Sequence, residues 1–157
     1  MAGRPSEERT PGVVAPPPFI YLGPLLAGLV LDRFVPLPRL PAALRVVGLP
    51  LLVGGIGLGA WFFTSMREAD TPVDPYQPPT ALVEEGPFRF TRNPAYLAFA
   101  FVYSGISLLA GGRWPLVLMP GVLAVINHGV IQREEAYLEQ RFGGPYRDYR
   151  NRVRRWF

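Results

Sequence analysis

Two polar clusters in a largely apolar sequence carry the groups that could do chemistry. The first is the stretch from Gly86 to Tyr96, Gly-Pro-Phe-Arg-Phe-Thr-Arg-Asn-Pro-Ala-Tyr, and the second is the acidic pair Glu134-Glu135. Ionisable groups next to a lipid phase are costly to retain without a use. Because both clusters border long apolar blocks, they predict a functional site at the edge of a membrane.

The pair Asn93-Pro94 predicts the start of a helix. Asn accepts hydrogen bonds from free backbone amides, and Pro is tolerated at the first helical position. Arg89, Arg92 and Tyr96 would then surround a positively polarised helix terminus, which stabilises an anionic group. Capping alone would also explain Asn93 and Pro94, so both interpretations stay open here.

The acidic pair is predicted to lie on a helix that continues to Phe142, where Gly143-Gly144-Pro145 supplies stop signals. At helical spacing, His128 and Glu135 project on nearly the same face. A solvated helix exit is the alternative explanation of the two carboxylates. The chain has one histidine and no cysteine, so we expect no metal site and no disulfide.

Four apolar blocks flank these clusters: residues 19–35, 42–63, 96–110 and 115–131. A bilayer core of about 30 Å needs roughly 20 apolar residues per helix, with about 17 as the lower limit. The blocks therefore predict an all-α integral membrane protein with four transmembrane helices. The mean hydropathy of only +0.17 reflects dilution by the polar termini and the central loop.

The basic residues predict the orientation in the membrane. All sixteen are arginine, and with four spans twelve of them fall on the side of the termini and the central loop. The positive-inside bias then places both termini and the site in the cytoplasm. The pI of about 9.8 matches anionic lipid headgroups as partners, and no nucleic-acid motif accompanies it, so we expect no nucleic acid.

Three further segments have predicted structural roles. The C-terminus predicts an interfacial amphipathic helix that covers the cytoplasmic mouth of the bundle or anchors it to lipid, with Arg155 pointing away from the apolar face. The Pro-rich segment 71–79 is expected to run extended along the membrane surface. The spacing Gly55-x-x-x-Gly59 favours close helix packing.

The polar clusters together resemble a known family. Three segments are similar to the cofactor-binding half of the isoprenylcysteine carboxyl methyltransferase and phospholipid methyltransferase superfamily. They are residues 86–96, then Glu134-Glu135-x-x-Leu138-x-x-x-Phe142-Gly143-x-x-Tyr146-x-x-Tyr149, and then Val153-x-Arg155-Trp156. The family pattern Arg-His-Pro-x-Tyr falls on residues 92–96, with Asn93 where the family often has His. Asn keeps a polar contact but does not titrate near neutral pH.

The resemblance implies an integral membrane methyltransferase that binds S-adenosylmethionine at the cytoplasmic side. A carboxylate can bind the ammonium of the methionine part, and an arginine or helix terminus can bind its carboxylate. The residues that the resemblance assigns to the cofactor are Arg92, Asn93, Pro94, Tyr96, Leu97, Glu134 and Glu135. If the acceptor loses a proton, Glu135 or His128 is the expected catalytic base.

The sequence also predicts the domain organisation. We expect residues 1–18, which are rich in Pro and polar residues, to form a flexible cytoplasmic N-terminus and residues 19–157 to form one domain, and the resemblance implies that its cofactor half is about 83–157. The acceptor is expected to be a lipid or another lipophilic molecule. Two alternatives stay open: a small membrane reductase with a nicotinamide cofactor, and a non-catalytic membrane scaffold.

Overall fold

The computed structural model describes residues 11–38, 40–74 and 76–157. This part of the chain contains helices and no β-strand: α1 Pro17–Phe34, α2 Ala42–Glu68, α3 Pro94–Ala110, α4 Arg113–Ile126, α5 Gln132–Phe142 and α6 Gly144–Arg152. A 3₁₀ turn, Gly86–Arg89, precedes α3, and a π-helical turn, Asn127–Ile131, joins α4 to α5. The predictions that concern residues 1–10, Arg39 and Pro75 lie outside the described residues.

The capping and stop residues in the sequence predict the helix ends well. The helix predicted to start at Asn93-Pro94 does begin at Pro94. The helix that carries the acidic pair ends at Phe142, and Gly143 follows with a φ of 59°. Glycine adopts that left-handed conformation without the steric cost of a Cβ, which explains the stop.

Two helices are long and apolar enough to cross a membrane: Ala42–Glu68, and the continuous helix Arg113–Phe142 formed by α4, the π turn and α5. Val46, Val53 and Ile56 of α2 are 74%, 60% and 60% exposed, although a core helix of a soluble protein would bury such side chains. Their exposure fits a lipid environment. That α1 and the 17-residue α3 also cross the membrane stays a prediction.

Glycines let α2 and α3 approach each other closely. A Cβ at Gly105 would lie 2.6 Å from the backbone N of Leu52, and one at Gly55 would lie 2.8 Å from the backbone N of Val102. The close packing predicted for this glycine stripe is therefore confirmed at Gly55. At Gly59 a Cβ would meet only the Ala98 Cβ at 3.7 Å, which is ordinary contact.

At the end of the bundle where α1 ends and α4 begins, Asp32 joins these two helices. Its carboxylate accepts the backbone N–H of Arg113 at 2.8 Å and that of Trp114 at 3.3 Å, and it also pairs with Arg113 Nε at 3.1 Å. A carboxylate at a helix N-terminus binds orphan amides and complements the helix dipole. Asp32 therefore caps α4 from a neighbouring helix.

We expect Gly105→Ala to lower the free energy of unfolding by about 1–3 kcal/mol, because the new methyl group would push against the backbone of α2. Thermal unfolding in detergent measures this effect. Gly57→Ala is the matched control, since nothing lies within 4 Å of a Cβ there. Equal midpoints for the two variants would contradict the close packing of α2 on α3.

Candidate functional site

Three segments that are distant in sequence meet at one end of the bundle: the start of α3, the polar helix α5 and residues 153–157. Arg92 N–H donates to Arg154 O at 3.0 Å, and the Thr91 hydroxyl donates to Arg155 O at 3.0 Å. The interfacial helix predicted for the C-terminus ends at Arg152, and the residues after it lie against the start of α3. The C-terminal segment is thus a part of the site.

Asn93 occupies the N-cap position of α3, but its side chain makes no capping hydrogen bond. Its Nδ2 donates instead to Arg155 O at 3.0 Å. The expectation that the side chain caps the helix is therefore wrong, because the amide is turned toward the C-terminal segment. Asn93 joins two segments of the site.

Glu135 is bound by two arginines. Arg155 contacts both carboxylate oxygens, with Nε at 3.0 Å from Oε1 and Nη2 at 2.6 Å from Oε2. Arg92 Nη2 lies 3.2 Å from Oε1. The Glu135 side chain is only 12% exposed, so these contacts compensate a largely buried charge.

The guanidinium of Arg92 is not fully hydrogen-bonded within the described part of the chain. Its side chain is 10% exposed, and Nε and Nη1 are buried without a hydrogen-bond partner among the described residues. Buried polar groups in proteins are nearly always paired, and an unpaired one is costly. Two donor nitrogens of a buried cation thus have no partner among the described residues.

Glu134 has a different environment from its neighbour. The Tyr96 hydroxyl donates to Glu134 Oε1 at 2.6 Å, and no salt bridge involves Glu134 within the described part of the chain. Tyr96 is itself buried, and the Tyr21 hydroxyl donates to its carbonyl at 3.0 Å. The two adjacent carboxylates thus have different partners: Glu135 is paired with two arginines, whereas Glu134 accepts from Tyr96 and has no cationic partner among the described residues.

These groups line a cavity of about 500 Å³ whose remaining wall is mostly apolar. Its polar end is formed by Arg92, Asn93, Glu134 and Glu135, together with Tyr96 and Tyr146, and its apolar wall includes Phe62, Phe63, Met66, Phe99 and Leu138. Binding cavities for small molecules combine apolar walls with a few converging polar groups. The cavity can therefore hold a ligand that has a charged end and an apolar end.

The Pro-rich segment forms one wall of this cavity. Residues 71–74, Gln77 and Pro79 line it. The expected extended path is wrong, because the two ends of the segment lie together, whereas its position along the membrane surface stays a prediction. The reason is a local closure: Thr71 Oγ1 accepts the backbone N–H of Thr80 at 2.9 Å, which folds the segment back on itself.

Two residues predicted for the site lie elsewhere. Leu97 is 7% exposed and does not line the cavity, whereas Tyr96 and Ala98 on either side of it do. His128 is exposed and is also outside the lining. It lies in the π turn, which holds more residues per turn than an α-helix and so removes the seven-residue alignment of His128 with Glu135.

Two site residues from the C-terminus were not predicted. Arg155 was expected to point away from the bundle, but its hydrogen bond to Glu135 raises its pKa and keeps it charged. Burial raises the pKa of Tyr146 to about 12, with a further contribution from the carboxylate of Glu135, so its hydroxyl is neutral at physiological pH. The position of Tyr146 among the quoted family residues was the available signal.

Comparison with known proteins identifies the family. The family model for phospholipid methyltransferase matches residues 44–145, which is well over half of the chain. The chain belongs to the phospholipid methyltransferase family. This match extends from α2 to the start of α6 and includes Arg92, Tyr96, Glu134 and Glu135. Methyl transfer is the class of activity that membership of the phospholipid methyltransferase family supports.

Two relatives add detail. An uncharacterized protein from Haemophilus influenzae is 56% identical over 61 residues, which are 39% of this chain and 97% of that protein. The protein-S-isoprenylcysteine O-methyltransferase of Schizosaccharomyces pombe is 35% identical over 72 residues, 46% of this chain but only 30% of that enzyme. No solved structure matches this phospholipid methyltransferase family member.

We expect Asn93→Ser to lower the free energy of unfolding by about 0.5–1.5 kcal/mol, because Ser is too short to donate to Arg155 O and the hydrogen bond that Asn93 makes there is lost. Chemical unfolding in detergent measures the change. Thr91→Ser is the control, since it keeps the hydroxyl donor to the same carbonyl. Full stability of Asn93→Ser would mean that the hydrogen bond from Asn93 to Arg155 O contributes little to stability.

Proposed function

We propose that the protein transfers a methyl group from S-adenosylmethionine to a lipophilic acceptor at the cytoplasmic face of the membrane. The observation that carries this proposal is the buried Arg92, with two unpartnered donor nitrogens, at the polar end of a largely apolar cavity. Membership of a membrane methyltransferase family supports the reaction class.

The residues at the polar end fit the methionine part of this cofactor. That part carries a carboxylate and an ammonium group, and a guanidinium and a carboxylate are their matching partners. Among the described residues, Arg92 has donor nitrogens without a partner for the carboxylate, and Glu134 is the carboxylate without an arginine partner, so an ammonium bound beside it would favour its charged form. Glu135 was also expected to bind the ammonium, but its pairing with Arg92 and Arg155 favours Glu134 for that contact.

Three further residues position the groups that make these two contacts: Tyr96, Asn93 and Pro94. Tyr96 fixes the orientation of Glu134 through its 2.6 Å hydrogen bond. Asn93 links the start of α3 to the C-terminal segment, and Pro94 begins the helix next to Arg92. Together they hold the binding groups in place before the ligand arrives, which lowers the entropic cost of binding.

S-adenosylmethionine supplies a methyl group on a positively charged sulfur. Methyl transfer from it is an in-line displacement, for which the protein contributes mainly positioning and exclusion of water. The apolar wall, which includes Phe62, Phe63 and Phe99, fits a lipophilic acceptor and keeps water away. We assign no general base to Glu135 or His128, because two arginines bind the first and the second lies outside the cavity.

Calorimetry in detergent with S-adenosylmethionine, S-adenosylhomocysteine and a reduced nicotinamide dinucleotide tests the proposal. We expect the first two ligands to bind and the dinucleotide not to bind. Binding of the dinucleotide alone would instead favour a membrane reductase. Binding of none of the three would favour a non-catalytic scaffold.

We expect Glu134→Gln to weaken binding of S-adenosylhomocysteine by roughly 10- to 150-fold, the cost of losing a charged hydrogen bond of about 1.5–3 kcal/mol. Glu135→Gln is the comparison variant and should have a smaller effect, because Gln can still accept hydrogen bonds from the two arginines and Glu135 is assigned no contact with the ligand. 5′-Methylthioadenosine has no ammonium group, so its affinity should not respond to Glu134→Gln. The reverse ranking of the two variants would contradict the assignment of Glu134.

The arginine distribution supports a cytoplasmic location of both termini and of the cavity, with exposed arginines near anionic headgroups. Reporter fusions at residue 157 and near Pro38 should therefore report opposite sides of the membrane. The same side for both would contradict the four-span arrangement, whatever the outcome of the ligand experiments.

A further inference from the structure

Arg155 and Arg92 share the carboxylate of Glu135 unequally. Arg155 binds both oxygens, at 3.0 and 2.6 Å, whereas Arg92 contacts one oxygen through Nη2 at 3.2 Å. A bidentate guanidinium–carboxylate pair is the strongest form of this interaction. The single negative charge of Glu135 is therefore matched first by Arg155, and Arg92 keeps a positive charge that no carboxylate fully compensates.

We propose that Arg155 is a positioning residue that occupies Glu135 and thereby keeps Arg92 available to the carboxylate of the ligand. This inference rests on the proposed function, because it takes the anionic ligand of Arg92 to be the methionine part of S-adenosylmethionine. Arg155 does not itself line the cavity. It acts on the ligand only through Glu135 and Arg92.

The contacts of Arg155 explain how a residue near the end of the chain is held firmly enough for this role. Its carbonyl accepts hydrogen bonds from Thr91 and from Asn93, both at 3.0 Å. Its Nη1 donates to Asn127 Oδ1 at 3.2 Å, and the rest of the guanidinium binds Glu135. Both its backbone and its side chain are therefore fixed against elements that also carry the ligand-binding groups.

Without Arg155, Glu135 would have one cationic partner left. Arg92 already touches its Oε1, and a small rotation would let the Arg92 guanidinium bind both oxygens. A buried carboxylate without compensation is costly, so this rearrangement would be favoured. It would take up donors of Arg92 that now have no partner and would neutralise its charge, which would weaken an anion site.

Calorimetry of the detergent-solubilised full chain with S-adenosylhomocysteine tests this inference. We expect Arg155→Gln to weaken binding at least tenfold. 5′-Methylthioadenosine, which lacks the amino-acid part, should bind the variant and the parent within about threefold of each other. An equal loss for both ligands would overturn the proposal, since it would indicate general damage to the site.

A second substitution distinguishes positioning from a structural role. In the Glu135→Gln background no carboxylate competes for Arg92, so adding Arg155→Gln should change S-adenosylhomocysteine affinity by less than about threefold. A structural role of Arg155, through Asn127 for example, would cost the same in both backgrounds. The same large loss in both backgrounds would therefore overturn the proposal.

Melting temperatures of all variants show whether they are folded. If Arg155→Gln does not fold, Arg155→Lys keeps the charge with a weaker contact, and it should lose affinity for S-adenosylhomocysteine but not for 5′-methylthioadenosine. Full affinity of folded Arg155→Gln, or of Arg155→Lys in its place, would overturn the role of Arg155 and leave the proposed function standing. Failure of the parent to bind S-adenosylhomocysteine would instead overturn the proposed function.

Discussion

The carboxylate of Glu135 is the group on which the geometry of the site depends. It receives Arg92 from the start of α3 and Arg155 from the C-terminal segment, so one buried charge joins three parts of the chain. Removing one partner of a buried ion pair is far more costly than losing a surface pair. The folding of this end of the bundle and the arrangement of its binding groups are therefore governed by the same contacts. The opposite end is held independently, by Asp32 and Arg113.

The environment of the cavity follows from the distribution of polar residues along the chain. Helices α1 and α2 expose apolar side chains along their length, and a cluster of ionisable groups lies where α3 starts and α5 leaves the apolar part of its helix. Within a membrane protein such groups are tolerated where they pair or line a cavity. A ligand that bridges water and lipid thus meets charges at one end and apolar walls at the other, which matches a polar cofactor beside a lipophilic acceptor.

The sequence predicted the local features of the fold better than the contacts of the site. Helix starts and stops depend on a few neighbouring residues, and Pro94 and Gly143 mark them correctly. The side-chain contacts of Asn93 and Arg155 depend on how separate segments fold back, which no local pattern encodes. A helical-wheel argument placed Arg155 outside, but the helix ends at Arg152 and the wheel no longer applies. His128 was misplaced for a similar reason, because a regular period cannot anticipate a π turn.

That π turn, Asn127–Ile131, changes the rotation of α5 about the helix axis relative to α4. The apolar α4 packs against α1, while the polar α5 faces the cavity with Glu134 and Glu135. Each residue of an α-helix adds about 100° of rotation, so the loss of one residue here would turn both carboxylates well away from their partners. The number of residues in this turn is thus constrained, in addition to the identity of its buried residues Val130 and Ile131. An insertion or deletion of one residue, which a surface loop would absorb, would here separate Glu135 from its arginine partners.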